Sequence, residues 1–475
     1  MRVVLGLHLA ALLAAFGLLT GCATTGGPGG TAEESGTLPQ PTAIADNVAF
    51  WRQVYAEWGR GEVAIHDDEY LGVVYEVVEL PGPLHDRYTD MQRAYVRARK
   101  HEYRQRLAEL ERKLASGRSL TREERRLRDR LVAAGGRSAV FGASERVRAQ
   151  RGTRERFRRG LEISGRYDRI FRDIMRARGV PEELAFLPHV ESSFQLNARS
   201  SVGAAGVWQF MPATGREFMT VTPAVDERLD PVIAADGAAR YLSDAYRRLG
   251  SWPLAITSYN HGVGGMQRAK AIYGDDFGAI ARNYKGRAFG FSSRNFYACF
   301  LAAQQIASSP ARYFPEGLRP APPLREDRLV LHHRLPASQI AAHYDLSLEQ
   351  LSTLNLAWRA PVRRGRASLP AGSTVWLPAG SLARVPDQPR PVTDVLIARS
   401  EPPAPSQTES QPTRERQPTA RAPAAPAQHH VVRRNETLYR VALQYELSVE
   451  ELRRLNRISP NDNTIRPGQR LRVSG

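Results

Sequence analysis

Glu191 closes an apolar run, Leu184, Phe186, Leu187 and Val190, that suits a core-facing helix. A carboxyl group at the tip of such a helix is poorly hydrated. Desolvation disfavours its charged form and raises its pKa, in favourable cases towards about 6, where it can donate a proton to a leaving oxygen. Taken alone, the segment fits an ordinary exposed helix-end glutamate better. The residues that follow change the balance. Gly203, Ala204, Ala205 and Gly206 carry little side-chain bulk, so a second backbone or a bulky ligand can approach closely. Trp208, Gln209, Phe210 and Met211 then combine large apolar surface with one amide, a mixture suited to a sugar.

Three short motifs occur in order and carry a resemblance to a known family. Glu191-Ser192 matches a Glu-Ser motif. Gly206-Val207-Trp208-Gln209-Phe210-Met211-Pro212-Ala213-Thr214 matches Gly-(Leu/Ile)-(Met/Trp)-Gln-x-Met-Pro-x-Thr, and Ser258-Tyr259-Asn260-His261-Gly262 matches Ala-Tyr-Asn-x-Gly. Together they resemble the soluble lytic transglycosylase (SLT) family, most closely its membrane-bound type D branch, which carries Trp where other members carry Met. The resemblance implies a lysozyme-like helical domain with a glycan groove. It implies that Glu191 is the catalytic acid/base and that Ser200 contacts either the substrate N-acetyl group or the acid. Gln209 and Met211 would line the groove, Tyr259 would lie near the glutamate, and Asn260 beside it. Core packing is the alternative for Met211 and Tyr259. There are two departures: Gln195-Leu196 stands where members often carry Asn-Pro, and Arg294-Asn295 is followed by Phe296 and then Tyr297 where many relatives place a tyrosine at once.

Two-carboxylate glycoside hydrolysis needs a nucleophile or a base beside the acid. No Asp or Glu lies between Glu191 and Glu217, and none flanks Tyr259-Asn260. One carboxyl would then act twice, first protonating the glycosidic oxygen and then, as carboxylate, deprotonating the muramic C6 hydroxyl, which closes onto C1 to give a 1,6-anhydro end. Two alternatives stay open. A goose-lysozyme-like muramidase would recruit Asp226, Glu227, Asp230 or Asp236, and a non-catalytic peptidoglycan-binding scaffold would not need Glu191.

Residues 1–21 read as a signal peptide: Arg2, an apolar stretch from Val3 to Leu19, then small residues before Cys22. Leu19-Thr20-Gly21-Cys22 resembles a bacterial lipobox, which implies lipidation of Cys22 and, with Ala23 following, an outer-membrane lipoprotein facing the periplasm. The remaining cysteine, Cys299, sits in an apolar run and reads as a buried core residue. No metal-ligand spacing is visible, since His332-His333 and His429-His430 lack a third ligand, and no cofactor is expected. The formal net charge of +18 fits loose attraction to anionic peptidoglycan peptides and lipid headgroups. Nucleic acid is not an expected partner of a secreted lipoprotein. Nothing in the sequence speaks to oligomeric state.

The expected fold class is mainly α, with small βααβ modules at the C-terminal end. Residues 22–44 form a tether, 45–160 an N-terminal helical region and 161–310 the lysozyme-like domain. Within the N-terminal region Phe50, Trp51, Tyr55 and Trp58 fall near one face; Tyr103, Leu107, Leu110 and Leu114 keep a helical period, Gly117 stops that helix, and Thr121 with Glu124 opens the next. Residues 429–475 run strand, helix, helix, strand and resemble a LysM glycan-binding module. Residues 328–378 look like a degenerate copy, since Leu346-Ser347-Leu348-Glu349-Gln350-Leu351 and Leu354-Asn355 echo Leu447 to Leu452 and Leu455-Asn456 at a constant shift. Residues 380–428, rich in Pro, Ala, Ser, Gln and Thr, read as a disordered linker.

Overall fold

The computed structural model describes residues 38–391 and, of the last segment, 429–432, 441–442, 445, 447, 449–459, 465–466 and 468–473. The signal peptide, Cys22, residues 23–37, the linker from 392 to 428, and the Asn435-Glu436-Thr437-Leu438 and Ser448 signals lie outside the described residues. The chain divides into two units, residues 1–393 and 394–475.

Helix α1 (Ala45–Arg52) continues through a wide turn, Gln53–Glu57, and buries Phe50, Tyr55 and Trp58. The expected helices α2 (Asp90–Ala115) and α3 (Arg122–Gly135) follow, each opened by a reciprocal capping box, Thr89 with Gln92 and Thr121 with Glu124. Gly117 takes φ +65 after α2, a conformation that releases the chain from the helix at little cost for glycine. A three-stranded antiparallel sheet accompanies them. It comprises β1 (Glu62–Asp67), β2 (Val74–Glu79) and β3 (Val147–Arg151) in the order β2-β1-β3. On one face Val63 and Ile65 pack with Tyr103, Leu107, Leu110 and Leu131, whereas Ala64 faces the main core. With both faces covered, β1 loses the alternation that marks a half-buried strand, which hid it in the sequence.

Helices α4 (Arg154–Ser164) and α5 (Asp168–Ala177), a 3-10 turn at Glu182–Phe186, and α6 (Leu187–Glu191) lead to the acid. The body continues with α7 (Pro212–Phe218), α8 (Pro231–Leu249), α9 (Trp252–His261), α10 (Val263–Tyr273), α11 (Phe277–Asn283), α12 (Phe291–Ser308) and the short α13 (Pro310–Tyr313). Asp230 caps α8 by accepting from Val232 N (2.9 Å) and Ile233 N (3.0 Å), Pro231 occupies the first turn, and Gly250 ends the helix in left-handed geometry. Helix α12 is buried along most of its length, and α1 lies against it, with Asn47 Nδ2 donating to Asn295 Oδ1 at 2.7 Å. Leu38 is buried and Pro39 O accepts from Tyr297, so the tether, expected to reach residue 44, is packed on the body from Leu38.

Residues 327–377 form a strand–helix–helix–strand module. Its β4 (Asp327–Val330) pairs antiparallel with β7 (Thr374–Leu377), the short β5 (Leu335–Pro336) pairs with β6 (Ser368–Leu369), and α14 (Ala337–His343), α15 (Leu348–Leu354) and α16 (Ala360–Arg363) pack between. The chain then folds back through α17 (Ser381–Arg384), Leu382 N donating to Asp327 Oδ2 at 2.8 Å and Gln388 Nε2 to Val330 O at 3.1 Å, so the expected linker begins later than residue 380. In the second unit β8 (His429–Val431) pairs antiparallel with β9 (Arg470–Arg472), and α18 (Val449–Asn456) supplies buried Leu452.

The two copies share one device. Asn355 Nδ2 donates to Leu351 O (2.8 Å) and Trp376 O (2.9 Å) while its Oδ1 accepts from Trp376 N (2.8 Å). Asn456 does the same with Leu452 O (2.8 Å), Arg472 O (2.8 Å) and Arg472 N (2.6 Å). Each amide therefore ties the end of a helix to the closing strand. Asn355→Ala would leave the backbone N–H and C=O of Trp376 without their partner and is expected to destabilise the first module by about 2–3 kcal/mol, read by urea unfolding of the full chain; a loss within experimental error would mean that the tie contributes nothing.

Candidate active site

Glu191 is the last residue of α6 and is half-buried. Burial alone pushes its pKa up to about 8. The surrounding elements contribute a wall of aromatic rings. The ring of His189 lies 5.2 Å from Phe157 and 4.6 Å from Phe194; Phe157 stacks on Tyr55 at 4.8 Å, and Phe194 on Phe171 at 5.9 Å, with Trp208 beyond. Burial lowers the His189 pKa to about 3, so that imidazole is a neutral member of the wall.

Immediately after the acid the backbone becomes strained. Ser193 and Phe194 take φ +51 and +56, and Gln209 takes +49, the left-handed region that side-chain-bearing residues rarely occupy. The neighbours hold them there. Ser192 Oγ donates to Val207 O (2.9 Å), Tyr259 Oη to Trp208 O (2.8 Å), and Trp208 Nε1 to Pro231 O (3.1 Å). The loop carrying Gln209 is thus bound to the acid-bearing segment and to α9. At Gly206 (φ +78) an added Cβ would lie 1.8 Å from Arg228 O, so the small residues admit a second backbone at that point.

The six residues singled out in the sequence play distinct parts here. Tyr259 is half-buried, and its hydroxyl pKa is raised by burial and then by the Glu191 charge, which places the two groups in one electrostatic neighbourhood. Ser200 Oγ accepts from Ala204 N (2.9 Å) and shapes its own turn. Gln209 Nε2 donates to Gly206 O (2.7 Å) and Ala198 O (3.3 Å), so its amide nitrogen braces the loop. Met211 is 41% exposed, which separates it from the core. Asn260 is exposed, and its Oδ1 accepts from Ser293 Oγ at 2.8 Å.

Phe296 and Tyr297 are both buried, and the Tyr297 hydroxyl donates to Pro39 O at 2.6 Å, committing it to the N-terminal segment. A different tyrosine stands near the acid. The Tyr55 hydroxyl and the Cys299 thiol act on each other's ionisation, and burial, followed by the influence of Cys299 and the Glu191 charge, raises the Tyr55 pKa well above its ordinary value. The sequence placed Tyr55 on an aromatic helix face but gave no sign of a place near Glu191, since it lies more than a hundred residues upstream of the motifs.

The four acids that a second-carboxylate mechanism would recruit are engaged elsewhere. Asp226 is buried between Arg228 (2.8 Å) and Arg359; Glu227 accepts from Thr220 N (2.6 Å); Asp230 caps α8 and accepts from Trp376 Nε1 (2.6 Å); Asp236 pairs with Arg178 (2.6 Å) and Arg240 (3.0 Å). Among the described residues no cluster of His, Cys, Asp or Glu has the grouping to hold a metal ion.

Residues 169–278 match the family model described as the transglycosylase SLT domain, and residues 430–474 match that of the LysM domain. The chain carries an SLT domain. It is 26% identical over 308 residues to membrane-bound lytic murein transglycosylase D of Escherichia coli (strain K12), an alignment covering 63% of this chain and 61% of that protein. It is also 35% identical over 118 residues to membrane-bound lytic murein transglycosylase F 2 of Alkalilimnicola ehrlichii, covering 23% of this chain and 25% of that one. The chain therefore spans about three-fifths of the length of the first of these curated relatives. Among solved structures, an inactive mutant of the lytic transglycosylase Slt from Pseudomonas aeruginosa aligns with a TM-score of 0.26 at 21% identity, covering 32% of this chain and 25% of that one. The SLT match ends before α12, so Cys299, like Tyr55, lies outside the matched residues.

The folded chain keeps the Glu191 proton up to about pH 8, whereas the unfolded chain releases it near 4.5. Between those values the folded state binds the extra proton, so this group's stabilising effect is complete below the lower value and is lost as pH rises through the upper one. Glu191→Gln, always neutral, is expected to equal wild type in stability near pH 4 and to exceed it at about pH 8 by roughly 4 kcal/mol. Urea unfolding at the two pH values measures this; equal stabilities at both would mean that the carboxyl ionises freely in the fold.

Proposed function

We propose that this chain is a lytic murein transglycosylase that cleaves the MurNAc-GlcNAc β-1,4 bond of peptidoglycan and leaves 1,6-anhydroMurNAc ends, in the service of cell-wall remodelling. The SLT and LysM matches and the names of the relatives support the substrate class. The observation that carries the chemistry is the state of Glu191, a carboxyl group held neutral at pH 7 by its dry surroundings while the candidate partner acids are tied up in caps and ion pairs.

The steps follow from that state. Protonated Glu191 gives its proton to the glycosidic oxygen as the bond to C1 breaks, and the substrate's own N-acetyl oxygen stabilises the positive charge developing at C1. Glu191 is now a carboxylate in a site that disfavours the charge, which makes it a stronger base than a solvated glutamate. It removes the proton of the muramic C6 hydroxyl, the oxygen closes onto C1, and Glu191 ends neutral. The internal nucleophile is already near its target, so no bound water is required. Tyr259 and Tyr55 flank the acid and would orient it, while Gln209, Met211, Ser200 and Asn260 belong to the glycan-binding face.

The remaining assignments complete the reading. Cys22 would be acylated and would hold the enzyme to the outer membrane, facing the periplasm, and peptidoglycan strands would be the partner of the LysM module. Among the described residues no helix is long and apolar enough to cross a membrane, so attachment would rest on the lipid.

Mass spectrometry of products released from purified peptidoglycan by the protein lacking residues 1–22 tests the reaction. The expected products are anhydro-muropeptides, falling by roughly 10²–10⁴-fold with Glu191→Gln. The rate should also decline about tenfold per pH unit above pH 8 as the acid ionises. Reducing muropeptides would establish hydrolysis instead, and a folded, wall-binding protein that releases nothing would establish a scaffold.

A further inference from the structure

The module of residues 327–377 touches the SLT domain at one particular place. Asp226 N donates to Ala357 O (2.8 Å) and Arg359 N to Ala224 O (3.0 Å), on either side of a β-bridge between Val225 and Trp358. Side chains extend the contact inward. The Arg359 guanidinium reaches Asp226 Oδ2. The same carboxylate, fully buried, holds Arg228 with both oxygens, Nε to Oδ1 at 2.8 Å and Nη2 to Oδ2 at 3.0 Å. Arg228 then spends its remaining nitrogen on the loop, Nη1 donating to Gly203 O and to Phe210 O at 2.9 Å each. Those two carbonyls stand at opposite ends of the loop that carries Gln209.

A relay of charge-assisted bonds therefore runs from the module, through Asp226 and Arg228, to both ends of the loop. Arg359 matters because of charge and geometry. A buried guanidinium–carboxylate pair fixes position only while its lone pairs are all engaged, and Arg359 supplies the donor that Asp226 Oδ2 would otherwise lack from the module side. Gly206 presses against Arg228 O, so any shift of residue 228 is felt by the loop at once.

The geometry points to Arg359 as a positioning residue: the 327–377 module holds the Asp226–Arg228 pair that fixes the loop of residues 203–210. This assignment rests on the reading of that loop as part of the glycan groove. It gives the first LysM-like copy a task other than sugar binding, and it makes the module a part of the active site.

Amide hydrogen exchange and peptidoglycan cleavage, both on the full chain, test it with Arg359→Met, with Arg359→Lys, and with Arg363→Met as an exposed control on the helix that follows Arg359. With Arg359→Met, exchange over residues 203–210 is expected to rise at least about tenfold while the α8 and α12 amides keep their protection. The apparent KM should rise about tenfold with kcat changed by less than about twofold, because Glu191 is untouched. Arg359→Lys should recover part of both, and Arg363→Met should match wild type. Unchanged protection of the loop, or a uniform rise across the chain, would overturn the assignment. A wild-type protein that releases no muropeptides would overturn the proposed reaction, while the exchange pattern would still decide the role of Arg359.

Discussion

Keeping one carboxyl group neutral at pH 7 requires surroundings with little water and no compensating cation, and much of this structure serves that requirement. Burial is the sole cause of the Glu191 shift. Desolvation is cheap only when apolar surface is already gathered for other reasons, and here the continuous aromatic wall from Tyr55 through Phe157, His189 and Phe194 to Phe171 and Trp208 is also the core of the body. His189 is a buried imidazole whose Nδ1 has no partner, and burial keeps it neutral.

That wall is not a property of the matched domain alone. Tyr55 and Phe157 come from the N-terminal region, and Cys299 from α12, beyond the matched residues. The N-terminal segment is bound to α12 by Asn47 on Asn295 and by Pro39 on Tyr297, and Arg294 pairs with Asp68 at 2.9 Å next to the sheet. The N-terminal region therefore brings Tyr55 into the electrostatic neighbourhood of Glu191.

What could be read from the sequence divides along a physical line. Caps, helix periods and stops are local, so Thr121 with Glu124 and Gly117 were legible, as was the repeat of the Asn355 and Asn456 positions. Glu191 could be singled out because its motif lies within a few residues. Strand β1 was not, since burial on both faces erases its period. The parts played by Tyr55 and Arg359 were invisible for a different reason. Each acts across a large separation in sequence, one through a ring stack and the other through an ion relay, and no local pattern records such a contact. The Phe296 departure, read as the loss of a hydroxyl, could not be weighed without the fold that brings Tyr55 beside Cys299.

The two LysM-like copies show how one scaffold can be put to different physical uses. Both close through an asparagine that ties helix to strand. The first copy has Leu335-Pro336-Ala337 where the second has Glu436-Thr437-Leu438, and it buries Trp358 and Trp376 at its junction with the SLT domain, Trp376 donating to Asp230 at 2.6 Å. Asp230 is also the cap of α8, so this contact reaches a helix that runs through the core. A module committed in this way cannot search for substrate at a distance. The second copy belongs to a separate unit after a Pro- and Ala-rich stretch, the arrangement that raises local substrate concentration without adding contacts at the acid. Duplication followed by docking of one copy would thus separate two tasks that a single module could not perform together, since rigid support of a loop and free sampling of a wall impose opposite demands on the connection.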